Sequence, residues 1–185
     1  MKLRTMPGKK LSFNYRVGLL TVLGLGSNLG NSPKTITNAI IELEKILKDL
    51  RSASFYESEP LYVTDQAVFI NTAVSGFFSA GPGELLEQIH DIEARFGRNR
   101  SREIRWGERS LDIDILLFGN AVYSADNLTI PHPRLRERRF ALEPLLELLP
   151  DASCPETGIP FREICYMLAD QGVKKIDLFP FTSSA

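Results

Sequence analysis

The stretch "RWGERSLDIDILLFG", Arg105 to Gly119, decides how the chain is read. Ile113, Ile115, Leu116, Leu117 and Phe118 form a short apolar run that stops at Gly119 and Asn120, the pattern of a buried β-strand. Asp112 and Asp114 interrupt it. Side chains alternate across a strand, so the two carboxylates share one face, about 7 Å apart along the chain, and Ile113 and Ile115 take the other, toward a core. A carboxylate taken from water without a partner costs several kcal/mol or becomes protonated. Something positive must therefore meet this pair.

The residues just before supply candidates. Arg95, Arg98, Arg100, Arg102, Arg105 and Arg109 place six arginines within fifteen residues, offset in that span by Glu103 and Glu108 alone. Guanidinium forks match phosphate bidentately, which lysine cannot do. Two readings stand side by side. Arg105 or Arg109 forms an ordinary salt bridge to an exposed aspartate pair, in a solvated charged loop. Alternatively a hard divalent cation such as Mg2+ sits on the carboxylates and the arginines cover the phosphates of a nucleotide. Trp106, the only tryptophan, is either a core anchor or a stacking platform for a flat ligand.

Working outward, Val17 to Leu25 is a first apolar strand, and the "GLGSNLGN" around its end reads as turn chemistry. Ser32 as N-cap and Pro33 at the first helical position open a helix predicted over 33–50, on the spacing of Ile36, Ala39, Ile40, Leu43, Ile46, Leu47 and Leu50. Ser52 to Tyr56 reads as a short strand, and "ESEPLYVTDQA", with Pro60, as a long functional loop. Phe69 to Phe78 is a strand, and Glu84 to Phe96 a helix stopped by Gly97. With the strand over 111–118 the order is β-α-β-β-α-β, the split βαβ pattern of an α+β, ferredoxin-like fold. A short strand at Ala121–Tyr123, an extended "NLTIPHP", and helices in "FALEPLLELLP" and "FREICYMLADQ" are C-terminal additions. We expect one domain over 16–179, a flexible basic extension at 1–15 and a flexible tail at 180–185.

Composition excludes more than it selects. The 185 residues are 43% hydrophobic and 24% charged with a net charge of -1, so no global field favours nucleic acid or a membrane surface. No apolar run reaches the roughly 20 residues of a membrane span. Cys154 and Cys165 fit a reducing compartment, and the cytoplasm is the expected location. The basic start followed by "VGLLTVLGLG" could be a signal peptide, but the helix start directly after it favours a core strand. An organellar targeting peptide within the first fifteen or so residues stays open. The two histidines, His90 and His132, and two scattered cysteines make no zinc pattern, and no GxxxxGK[ST] is present.

Taken in order, "GLGSNLGN", "SFYESEPL", "FINTAV", "IEARFGRNR", "RWGERSLDIDILLFG" and "IPHPRLRERRFALEPL" resemble the 6-hydroxymethyl-7,8-dihydropterin pyrophosphokinases over about 17–168. The resemblance implies transfer of pyrophosphate from ATP to the pterin hydroxymethyl group, release of AMP, two Mg2+ ions and a place in folate synthesis. It implies Asp112 and Asp114 as metal ligands, with Arg98, Arg109 and Arg100 on the phosphates. It implies Trp106 and Phe140 around the pterin ring, Asn71 and Phe69 at its edge, and Ser58 and Leu61 on a loop above it. It also implies His132 beside the nucleotide, with Glu93, Ile115, Thr129, Arg138 and His90 near ATP. Glu59, Glu108 and His90 depart from the residues common at those family positions.

Catalysis would then rest on in-line positioning and charge neutralisation, with Asp112 a candidate acceptor for the hydroxyl proton. We expect a monomer with a dimer left open, small-molecule substrates, and neither nucleic acid nor membrane as partner. Two rivals remain. One is a nucleotidyltransferase, which would release pyrophosphate. The other is a ferredoxin-like RNA-binding module, which would want exposed aromatics on its central strands where this chain has aspartates.

Overall fold

A computed structural model describes residues 18–60, 65–98 and 107–177. In chain order the elements are β1 (Leu19–Ser27), α1 (Ser32–Leu43), β2 (Lys48–Ser52), β3 (Phe55–Ser58), β4 (Phe69–Phe78), α2 (Pro82–Arg95) and β5 (Asp112–Phe118). They continue with β6 (Tyr123–Ala125), β7 (Leu128–Ile130), a one-turn 3-10 helix (Leu135–Glu137), α3 (Arg139–Leu148), α4 (Phe161–Met167) and β8 (Lys174–Ile176). Among the described residues the fold is mixed α/β: four α-helices on an antiparallel sheet. The sheet order is β5-β1-β4-β3-β8, with β2 also paired to β4, and β6 and β7 form a separate hairpin.

Each face of the sheet is apolar for a different partner. Leu23 and Leu25 of β1 and Ile113 and Ile115 of β5 point to the face covered by α1 and α2, where Ile36, Leu43, Ile89 and Ile92 meet them. Val22, Ala73 and Leu116 point the other way and pack beneath Leu142 and Leu145 of α3 and Phe161 of α4. Asp112 and Asp114 thus stand on the α3 side of the sheet and the isoleucines in the core, as strand alternation requires.

Four sequence expectations are corrected. The helix predicted over 33–50 ends at Leu43. Ile46 and Leu47 lie in the turn that follows, and Leu50 belongs to β2. Leu47 is buried all the same, so the apolar spacing continued without the helix. The N-cap is Asn31, whose side chain accepts the Lys34 N–H at 3.2 Å. Ser32 is already helical, and its hydroxyl accepts a bond from Ser27 Oγ at 3.0 Å. Gly24 and Gly26 lie inside β1 and not in a turn. The short strand expected at Ala121–Tyr123 runs from Tyr123 to Ala125.

Candidate active site

The sheet register lays out the floor of the site. Asp112 pairs with Gly26, and Gly26 with Asn71 on its other side; Asp114 pairs with Gly24, and Gly24 with Ala73. With neighbouring strands about 4.8 Å apart, Asp112 and Asn71 face each other across a glycine, about 10 Å apart. A Cβ on Gly26 would stand 3.2 Å from Asn71 Oδ1, so glycine keeps this floor low. The result is a cavity of about 290 Å³.

One wall is cationic. Helix α2 closes with Gly97 at φ +85°, where Gly97 N–H bonds to Ala94 O at 3.0 Å and Arg98 N–H to Glu93 O at 3.0 Å. This glycine cap turns the chain and aims the Arg98 side chain back at the sheet. The Arg98 guanidinium bridges Glu93 Oε1 and Asp112 Oδ1. Arg98 is 5% exposed and Glu93 1%, and Glu93 also accepts the Ile113 N–H at 2.8 Å. Arg109 approaches Asp112 Oδ1 at 3.4 Å. Asn28 fixes its main chain: Oδ1 accepts the Arg109 N–H at 2.7 Å, while Nδ2 donates to Gln66 Oε1 at 3.1 Å and Ala67 O at 3.2 Å.

Asp114 meets a second cationic group. Arg138 Nη1 lies 3.4 Å from its Oδ2 and His132 Nε2 3.6 Å from the same atom. Its partial burial, and then the Asp112 charge beside it, hold the Asp114 carboxyl well above the usual carboxylate range, against the pull of Arg138. Burial first, and then the Arg138 charge, push His132 down to about 4, so it is neutral at pH 7. Its Nδ1 accepts the Arg134 N–H at 3.1 Å, which places the ring proton on Nε2, toward Asp114. The Arg138 guanidinium also lies 5.5 Å from the Phe140 ring centroid.

The remaining wall is apolar and amide-bearing. Phe69, Asn71, Ser58, Glu59, Pro60 and Phe140 line it, and Asn71 Nδ2 donates to Ser58 Oγ at 2.9 Å.

Of the residues singled out from sequence, Ser58, Phe69, Asn71, Arg98, Arg109, Asp112, Asp114, His132, Arg138 and Phe140 all line this one cavity. Glu93 stands behind it, holding Arg98. Ile115 is buried in the core on the opposite face. His90 on α2 and Thr129 on β7 do not line the cavity. Leu61, Arg100 and Trp106 lie outside the described residues. Sequence reasoning missed Gly24, Gly26, Asn28 and Gln66. The glycines did leave a signal: they recur two apart within an apolar run, the period of one strand face.

Arginines converge on a carboxylate pair, opposite an apolar wall that carries an amide, around one cavity. Residues 22–150 match the profile of the 7,8-dihydro-6-hydroxymethylpterin-pyrophosphokinase family, and the chain belongs to that family. It is 34% identical over 157 residues to the 2-amino-4-hydroxy-6-hydroxymethyldihydropteridine pyrophosphokinase of Haemophilus influenzae, covering 84% of this chain and 96% of that one. It is 37% identical over 155 residues to the folic acid synthesis protein fol1 of Pneumocystis carinii, covering 83% of this chain but 21% of that one. The chain thus spans about a fifth of the fungal relative. A Plasmodium falciparum HPPK-DHPS crystal structure superposes with a TM-score of 0.64 at 15% identity, over 80% of this chain and 44% of that one, a likeness of fold. Among the described residues no helix is long and apolar enough to cross a membrane.

Proposed function

We propose that the chain transfers pyrophosphate from ATP to the hydroxymethyl group of 6-hydroxymethyl-7,8-dihydropterin, giving AMP and the pterin diphosphate in folate synthesis. The observation that carries this is the single cavity that holds both halves of the task. Arg98, Arg109 and Arg138 face it beside Asp112 and Asp114, and Phe69, Asn71 and Phe140 face it from the other side. We read the strand order as ferredoxin-like, with β2 and β3 together taking the place of one strand beside β4.

The arginines take the triphosphate and neutralise charge as the bond between the α- and β-phosphates breaks. Asn71, held by Ser58, reads the pterin edge, and Phe140 packs on the ring, with Trp106 as its partner and Leu61 above. Arg100 joins the phosphates. His132, neutral and donating from Nε2, serves as a hydrogen-bond donor on the nucleotide side and not as a charge. His90, Thr129 and Ile115 lie off the cavity and are assigned no direct contact.

The donor set suits Mg2+. Asp112 and Asp114 keep side-chain exposures of 31% and 35% on one face, and burial first, then the Asp112 charge, raises the Asp114 carboxyl. Among the described residues no group of three or more His, Cys, Asp or Glu converges. A hard cation that keeps waters and phosphate oxygens needs only such a pair. When bound, it would neutralise phosphate charge and lower the pKa of the substrate hydroxyl.

Product analysis tests the assignment. With ATP, Mg2+ and the pterin, AMP and pterin diphosphate are expected. ADP as the product, or free pyrophosphate with an adenylylated pterin, overturns it.

A further inference from the structure

The family profile stops at residue 150, yet the segment that follows α4 returns to the cavity wall. Gln171 reaches the chain on both sides of Arg138. Its Oε1 accepts the Arg139 N–H at 2.9 Å, and its Nε2 donates to Glu137 O at 2.8 Å. Arg139 answers with a bond from Nη1 to Leu168 O at 3.2 Å. Among the described residues no N-cap side chain bonds to the start of α3, and Gln171 takes one of the first-turn N–H groups that a helix leaves without an intrahelical partner, that of Arg139.

The same segment then reaches the opposite wall. The Gly172 N–H bonds to Asp170 Oδ1 at 2.9 Å, and Gly172 takes φ +64°. The chain runs on into β8, which pairs with β3 through Lys174 and Glu57, Lys175 and Tyr56, and Ile176 and Phe55. Ser58, next along β3, lines the cavity. A second tie joins these walls at the far end of α3, where Glu147 accepts from Ser54 Oγ at 2.8 Å, Tyr56 Oη at 2.7 Å and Lys175 Nζ at 3.3 Å.

We propose that Gln171 is a positioning residue for the transfer reaction: its amide brackets the backbone at 137–139 and so fixes where the Arg138 side chain enters the cavity. Helix α3 packs on the sheet through Leu142 and Leu145, contacts that are not directional and fix its entry angle poorly. The amide bracket is directional. It acts where a small rotation is most costly, because Arg138 must reach Asp114 at 3.4 Å while its buried Nε has no hydrogen-bond partner among the described residues.

The inference rests on the proposed pyrophosphate transfer, and a double-mutant cycle on the full chain separates the two. Gln171→Ala, Arg138→Ala and the double variant are compared with wild type for AMP formation, for the dissociation constant of ATP measured without pterin, and for Tm. Gln171→Ala is expected to lower kcat/KM about tenfold, to weaken ATP severalfold and to shift Tm by only a few degrees. Since Gln171 acts through Arg138, the double variant should be no worse than Arg138→Ala. Gln171→Glu keeps the acceptor for Arg139 and loses the donor to Glu137, so it should hold Tm and retain part of the kinetic loss. Wild-type rates and ATP affinity in Gln171→Ala and Gln171→Glu overturn the proposal, and so does a loss that adds in full to that of Arg138→Ala. Should wild type bind ATP and form no AMP, the transfer reading falls, while the ATP affinities still decide whether Gln171 acts through Arg138.

Discussion

Replacing Arg98 with methionine tests whether the cationic wall also holds the fold together. The arginine and Glu93 are 5% and 1% exposed, and the same guanidinium meets Asp112, which is 31% exposed. Removing one member of a buried ion pair costs about 3–5 kcal/mol, because the partner charge stays buried without it. The Asp112 half contributes about 1 kcal/mol or less, since that carboxylate meets water. The loss should therefore be about 3–5 kcal/mol, nearly all from Glu93. For a chain of this size each kcal/mol moves Tm by about 2–4 °C, so Arg98→Met should melt roughly 6–20 °C below wild type. Adding Glu93→Gln removes the stranded charge and keeps an oxygen to accept the Ile113 N–H, so the double variant should recover most of the loss. Activity should not return with it, because the guanidinium at the phosphates is still missing. Thermal and urea unfolding at pH 7 beside AMP formation give both readouts. A single variant that melts within 2 °C of wild type, or a double variant no more stable than the single one, refutes the reasoning.

Three further outcomes follow from the same geometry. Asp114→Asn should reduce AMP formation on the order of a thousandfold yet raise Tm in EDTA at pH 8. The raised Asp114 carboxyl contributes stability at low pH that is lost as pH climbs through its folded-state value. The gain, about 1 kcal/mol for a group that still meets solvent, should fade by pH 4, and an equal gain at both pH values would refute it. His132 should titrate near pH 4 by NMR. It holds off a proton that the unfolded chain accepts, so it should subtract stability progressively as pH falls from about 6.5 toward 4; a midpoint at 6.5 would refute its burial. Gly26→Ala should raise the pterin KM about tenfold at nearly unchanged Tm, because the added methyl meets Asn71 Oδ1 at 3.2 Å; an unchanged KM would remove Asn71 from the pterin wall.

Much of this was legible where one face of an element had to be buried. The limits of β4 followed from alternation and helical spacing, those of α2 and β5 to within two residues, and so did the aspartates' shared face. The end of α1 was not legible. Ile46, Leu47 and Leu50 repeat at helical spacing, but β4 requires a partner on its outer side, and β2 supplies it through Lys48 opposite Phe77 and Arg51 opposite Ser75. The clue lay 26 residues downstream of Leu50, in Gly76. A Cβ there would stand 2.9 Å from Leu47 Cβ and 3.2 Å from Lys48 O, so that glycine marks a close backbone approach. Strand β8 left less trace, because Lys174, Lys175 and Ile176 make a short, charged edge of the kind that resists further pairing. Side-chain ties such as those of Asn28 and Gln171 are invisible to periodicity, since each joins segments far apart in sequence.

The carboxylate pair that opened the question sits where it does because α3 is short. Ten residues of helix span about 15 Å, whereas the ten residues of β4 run about 33 Å. Helix α3 therefore covers one half of its sheet face and leaves the other open. The residues divide accordingly. Val22, Ala73 and Leu116 lie under the helix, while Gly24, Gly26, Asn71, Asp112 and Asp114 line the cavity past its N-terminal end. Apolar side chains in that open half would expose a patch to water, and bulky ones would fill the cavity. Glycine floors and carboxylate rims avoid both. The cost of two neighbouring negative charges is met from the edges, by Arg98 and Arg109 for Asp112 and by Arg138 for Asp114. Those guanidinium groups are also the groups a triphosphate would meet on entering. The charges that make the empty site tolerable are thus the ones proposed to bind the substrate, and a substitution that disturbs either role should disturb both.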